Sequence, residues 1–126
     1  MMVEKLKFDK NGLIPAIIQD HKTQKVLTLC YMNKESLARS LTEGKVYVFR
    51  RSKKRIMLKG ETSGNIQVIK EIFVDCENNS LLFRVEQKKA ACHAGYFTCY
   101  YRKIDKDGSE KVVEKRVFDP KDVYNG

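Results

Sequence analysis

The residues with the most capacity for chemistry in this chain are its cysteines. Three of the four fall late: Cys76, then Cys92 and Cys99 within AACHAGYFTCYYR, where His93 directly follows Cys92. A lone cysteine is most often core filler, and without a C-x-x-C pair of the zinc-finger kind, spacing says little. Company says more. Zinc favours thiolate and imidazole, and a catalytic zinc has three protein ligands with a position left for water. Cys76, Cys92 and Cys99 are candidates for those three, with His93 as a fourth ligand or an acid–base group. Cys30, between Leu29 and Tyr31 in an apolar run, reads as core.

Two further groups of residues stand near these. In DCENN, an extended backbone would put Asp75, Glu77 and Asn79 on one face, opposite Cys76. Two carboxylates and an amide are hard oxygen ligands suited to magnesium. They are also what a hairpin turn ordinarily contains, and the residue types alone favour the turn. In LKGETSGN, small residues expose backbone N–H groups, Thr62 and Ser63 offer hydroxyls and Lys59 offers charge. That suits a phosphate, with RRSKKR just upstream adding cations, although the Walker order is absent and a plain loop is the alternative.

These side chains need a scaffold. LIPAIIQD and VLTLCYM read as strands joined by HKTQK, with Pro15 tolerable only at an edge or a bulge. Asn33 can cap a helix over Lys34–Glu43, with Leu37, Ala38 and Leu41 on one face and Gly44 ending it. VYVFR and RIMLK bracket SKK as a basic hairpin, and IQVIKEIFVD and LLFRVEQ are strands flanking the turn ENNS. YFTCYYRKI and KVVEKRVF are expected to pair across DKDG. Many short strands and one helix predict a mainly β (α+β) domain with antiparallel strands.

At 126 residues the chain is expected to be one domain, 1–126. Its hydrophobic share of 42% is that of an ordinary globular protein. No apolar run approaches the roughly 20 residues of a membrane span, and MMVEKLKFDKNG lacks a signal-peptide core, so the cytoplasm is the expected compartment and no membrane the expectation. In that reducing setting, thiols serve as core, nucleophile or ligand more readily than as disulfides. The formal charge of +9 favours anionic partners.

In series, LIPAIIQD, YMNKESL, KGETSGN, DCENN, VEQ and ACHAGYFTC resemble phosphoribosyl-AMP cyclohydrolase of histidine biosynthesis, from about Leu6 to Tyr124. The resemblance implies a compact, pseudo-barrel-like domain in an intertwined homodimer. It implies zinc on Cys76, Cys92 and Cys99, with Cys76 from one subunit and the other two cysteines from its partner. It places magnesium on Asp75, Glu77 and Asn79, more weakly than on the three aspartates usual in the family, because an amide oxygen is neutral. The implied reaction is hydrolysis of the N1–C6 bond of the adenine ring in phosphoribosyl-AMP. His93 is expected either to transfer protons or to orient the zinc ligands. Arg51, Ser52, Lys59, Thr62 and Ser63 are expected on the two phosphates, and Glu61 on ring or ribose. No nucleic acid is expected as a partner. The rival is a zinc-stabilised basic nucleic-acid-binding module, whose structural zinc would be closed by four ligands.

Overall fold

The computed structural model describes residues 2–60, 66–87 and 95–117. After a 3-10 turn at Met2–Lys5, the elements run β1 (Ile14–Asp20), β2 (Val26–Met32), α1 (Lys34–Glu43), β3 (Tyr47–Arg50) and β4 (Arg55–Leu58). They continue with β5 (Gln67–Val74), β6 (Leu81–Gln87), β7 (Arg102–Ile104) and β8 (Glu110–Val112). The expected mainly β character with one helix is found.

The central sheet has the order β2-β1-β6-β5, while β3–β4 and β7–β8 are separate hairpins. One expectation needs correction: among the described residues the sheet does not close into a barrel. The strands pair mainly antiparallel, as expected, with one parallel pair, β1 with β6. Strict alternation in β6, with Leu81, Phe83, Val85 and Gln87 buried, turns one sheet face inward. Those residues meet Ile14, Ala16 and Ile18 of β1, Leu27 and Met32 of β2, and Leu37, Val46 and Val48 packed over them.

Pro15 sits inside a central strand rather than at an edge, opposite Tyr31. Proline has no N–H to donate, and the ladder to β6 begins only at Ala16 opposite Leu81, so no ladder donor is lost on that side. The helix has the expected bounds and caps. The Asn33 side chain accepts from the Ser36 N–H, and Gly44 takes the left-handed conformation at φ 71°. Its buried face differs, however: Ser36, Leu37 and Ser40 point inward, while Ala38 and Leu41 are exposed. The reason is polar. The Tyr47 N–H donates to the Ser40 hydroxyl at 2.8 Å, and that hydroxyl donates to the Ser36 carbonyl at 2.9 Å.

The final hairpin is shorter than expected. Tyr96–Cys99 forms bends rather than strand, although Tyr96 and Arg116 still meet in an isolated bridge. No helix among the described residues is long and apolar enough to cross a membrane.

Candidate active site

The segment carrying Cys99 is held by side chains instead of a ladder. The Thr98 hydroxyl donates to the Val26 carbonyl at 2.7 Å, and the Cys99 N–H donates to the Leu27 carbonyl at 2.7 Å. From the other side, Gln67 donates to the Gln87 side-chain oxygen at 2.7 Å, and Gln87 donates to the Phe97 carbonyl at 2.8 Å. Gln67, Gln87 and Thr98 are all buried, and the Gln67–Gln87 bond is shielded from water. This fixes Cys99, half-buried, beside β2.

Several site residues gather around Cys30–Tyr31 at the end of β2. The β3–β4 hairpin packs on β2 and α1, and its turn lays the Arg51 guanidinium 4.0 Å from the Tyr31 ring centre. Lys59, at the other end of that hairpin, lies within electrostatic reach of Cys30, as does Cys99. Burial pushes the Cys30 thiol up to about 12, with Lys59 pulling it down and Cys99 adding a smaller upward push. Cys30 packs against the core and its thiol meets the Ala16 carbonyl at 3.5 Å, as its apolar sequence context predicts. Ser52 is exposed beside Arg51.

Cys76 lies elsewhere. It is exposed at the start of the turn that follows β5. That segment is a turn and not the extended strand that would alternate Cys76 with its neighbours. The Asp75 Oδ1 accepts from the N–H groups of Asn79 (2.8 Å) and Ser80 (3.0 Å), while Asn79 donates to Glu77 at 3.4 Å. Desolvation raises the Asp75 carboxyl, but those backbone donors outweigh it and hold its pKa below the ordinary value. Asp75, Glu77 and Asn79 thus come together in one turn, a donor set that fits a hard cation, with Oδ1 of Asp75 already engaged.

The relation between the two thiols follows from register. Cys30, Ala16, Leu81 and Val74 form one row across the sheet, from β2 to β5. Cys99 is bonded to β2 and Cys76 follows β5, so three strand spacings, about 14 Å, separate their supports. A zinc–sulfur bond is about 2.3 Å long. The thiol chemistry suits zinc, and the supports of these two thiols lie at opposite edges of the sheet. No group of three metal-binding His, Cys, Asp or Glu forms among the described residues, which do not include Cys92 or His93. Cys92, His93, Glu61, Thr62 and Ser63 lie outside the described residues.

Two features were not read from the sequence. Tyr31 is a platform for Arg51, and Gln67–Gln87 anchors Phe97. Aromatic and amide residues next to site residues were the available signal, but only long-range contacts reveal their partners.

A family model for phosphoribosyl-AMP cyclohydrolase matches residues 28–101. A phosphoribosyl-AMP cyclohydrolase of Chloroherpeton thalassium is 48% identical, covering 98% of this chain and 89% of that protein. One from Pelotomaculum thermopropionicum is 46% identical, covering 97% and 95%. The histidine biosynthesis bifunctional protein HisIE of Thermoanaerobacter pseudethanolicus is 49% identical over 98% of this chain, which spans 56% of that protein. These matches define the chain as an enzyme. It belongs to the phosphoribosyl-AMP cyclohydrolase family.

Proposed function

We propose that this chain is the phosphoribosyl-AMP cyclohydrolase of histidine biosynthesis, opening the adenine ring at the N1–C6 bond in a zinc site shared between two copies. The match to cyclohydrolases over nearly the whole chain carries the activity. The shared site is supported by Cys76 and Cys99 belonging to opposite edges of the sheet.

A second copy also has a surface to occupy. On the outer sheet face, Leu29, Ile17, Leu82 and Phe73 form an apolar row across all four strands. Leu29, Ile17 and Phe73 are 39–46% exposed. A depression of about 270 Å³ beside them runs to Asp75 and Ser80, next to Cys76. Covering that row with the same row of a partner would carry Cys76 toward the partner's thiols.

Cys76 of one copy, with Cys92 and Cys99 of the other, would hold the zinc, and Asp75, Glu77 and Asn79 a magnesium ion. Zinc, when bound, supplies a Lewis acid that brings the pKa of water near 7. Arg51, oriented by its stack on Tyr31, keeps its N–H edges available to a phosphate, with Ser52 beside it. Lys59, Thr62 and Ser63 serve the other phosphate, and Glu61 the ring or ribose. The water oxygen bonds to C6 as the N1–C6 bond breaks, and His93 passes a proton from that water to N1.

Mixing Cys76→Ala with Cys99→Ala chains tests the shared site. Each mixed dimer retains one intact site of two, and half of the dimers are mixed, so roughly a quarter of wild-type turnover of phosphoribosyl-AMP is expected. No recovery in verified mixed dimers refutes sharing. No turnover by the wild-type protein refutes the activity.

A further inference from the structure

We infer that the Arg50–Lys54 turn of the β3–β4 hairpin is an electrostatic entrance that concentrates the doubly phosphorylated substrate at Arg51, a proposal resting on the cyclohydrolase reading. From Lys45 to Gly60 the chain carries seven lysines and arginines and no acid. Arg50, Lys53 and Lys54 are exposed, and none forms an ion pair among the described residues. Of the two acids flanking this stretch, Glu61 lies outside the described residues, and Glu43 accepts from the Tyr47 hydroxyl at 2.6 Å and pairs with Arg39, at the end away from the turn.

One choice in this turn gathers charge, and another works against the fold. Arg50 lies directly opposite Arg55, so two cationic side chains share the end of the strand pair. Lys54 holds a left-handed backbone at φ 51°, where glycine or asparagine is relaxed. Local costs of this kind are retained where function requires the residue. What these residues share is positive charge, placed one to three residues from the guanidinium stacked on Tyr31. Phosphoribosyl-AMP, with two phosphates, is the ligand such a field collects. The range of that field is about a Debye length, roughly 8 Å at physiological salt, so it acts at the mouth of the site and not on the bond being broken.

The test is the combined variant Arg50→Gln, Lys53→Gln and Lys54→Asn, the last tolerating the left-handed backbone. At about 20 mM salt, kcat/KM for phosphoribosyl-AMP should fall roughly tenfold, and at about 0.5 M salt the difference should close to within about twofold. The kcat should stay at the wild-type value, and the melting midpoint should be unchanged or higher. An equal loss at both salt concentrations, or a loss confined to kcat, overturns the entrance. A mixed single-stranded oligonucleotide bound by the wild type at about 0.15 M salt, and lost in the variant, also overturns it by assigning the turn to a polyanion. No wild-type turnover overturns this inference together with the cyclohydrolase reading; turnover without the salt-dependent difference overturns the entrance alone.

Discussion

Gln87→Met tests how the Cys99 segment is held. Methionine fills nearly the same volume in this buried position but carries neither amide atom. Two partners are then stranded: the Gln67 amide loses its acceptor at 2.7 Å, and the Phe97 carbonyl loses its donor at 2.8 Å. Each stranded buried group costs about 1–3 kcal/mol, so a loss of about 3 kcal/mol is expected. A chain of 126 residues unfolds with an entropy of about 0.26 kcal/mol/K, which converts that loss to a melting midpoint lower by about 10 °C. Calorimetry measures the shift. Urea denaturation gives the free energy with an unchanged m-value. Adding Gln67→Met removes the stranded amide along with its partner, so the double variant should lose less than the two single variants combined. A Gln87→Met loss below about 0.5 kcal/mol, or strict additivity in the double variant, refutes the claim that this amide pair clamps the segment.

Three other perturbations probe separate parts of the molecule. Ile17→Lys places a charge in the middle of the outer apolar row, and the proposed dimer should dissociate by light scattering while circular dichroism stays native; an intact dimer places the interface elsewhere. The Asp75 carboxyl has a folded pKa below its ordinary 3.8, so its contribution is complete above that pH and is lost as pH falls through the folded value. Asp75→Asn should therefore unfold more easily than wild type at neutral pH, with the gap closing in urea titrations below about pH 4. Cys30, its thiol pushed up to about 12, should resist iodoacetamide at pH 8 in the folded apo-protein, whereas exposed Cys76 reacts. Mass spectrometry finding Cys30 labelled first would contradict its half-buried placement against the core.

Much of the local structure could be read directly. Asn33 and Gly44 mark the helix because each solves a terminal problem that few residues solve, and the alternation in Leu81–Gln87 marks which face is buried. What eluded the sequence depends on contacts between distant segments. The parallel pairing of β1 with β6 joins residues some 65 positions apart, and no local signal distinguishes it from another antiparallel neighbour. The bends at Tyr96–Cys99 look like a strand by composition, but the Thr98 hydroxyl and the Gln87 amide take up backbone groups that a ladder would use. Periodicity places Leu41 inside, yet the loop entering β3 needs the Ser40 hydroxyl on the inner face. Residue type favours the turn at Cys76–Asn79, and the structure has it. Which sheet edge carries each thiol is decided by strand order alone.

That strand order has a thermodynamic consequence for the shared site. If zinc takes Cys76 from one copy and Cys99 from the other, the ion binds only the assembled pair, and metal affinity and dimer affinity become one linked quantity. Each factor by which zinc tightens the dimer must equal the factor by which dimerisation tightens zinc. Dilution should then release metal, and a chelator should shift the monomer–dimer balance by the same free energy. If the outer apolar row is the proposed interface, it supplies a part of dimer affinity that owes nothing to the ion, and chelation should weaken the pair without abolishing it. Sedimentation of the chelated and zinc-loaded protein separates the two contributions. Identical dissociation constants would mean that the thiols of different copies do not meet on one ion.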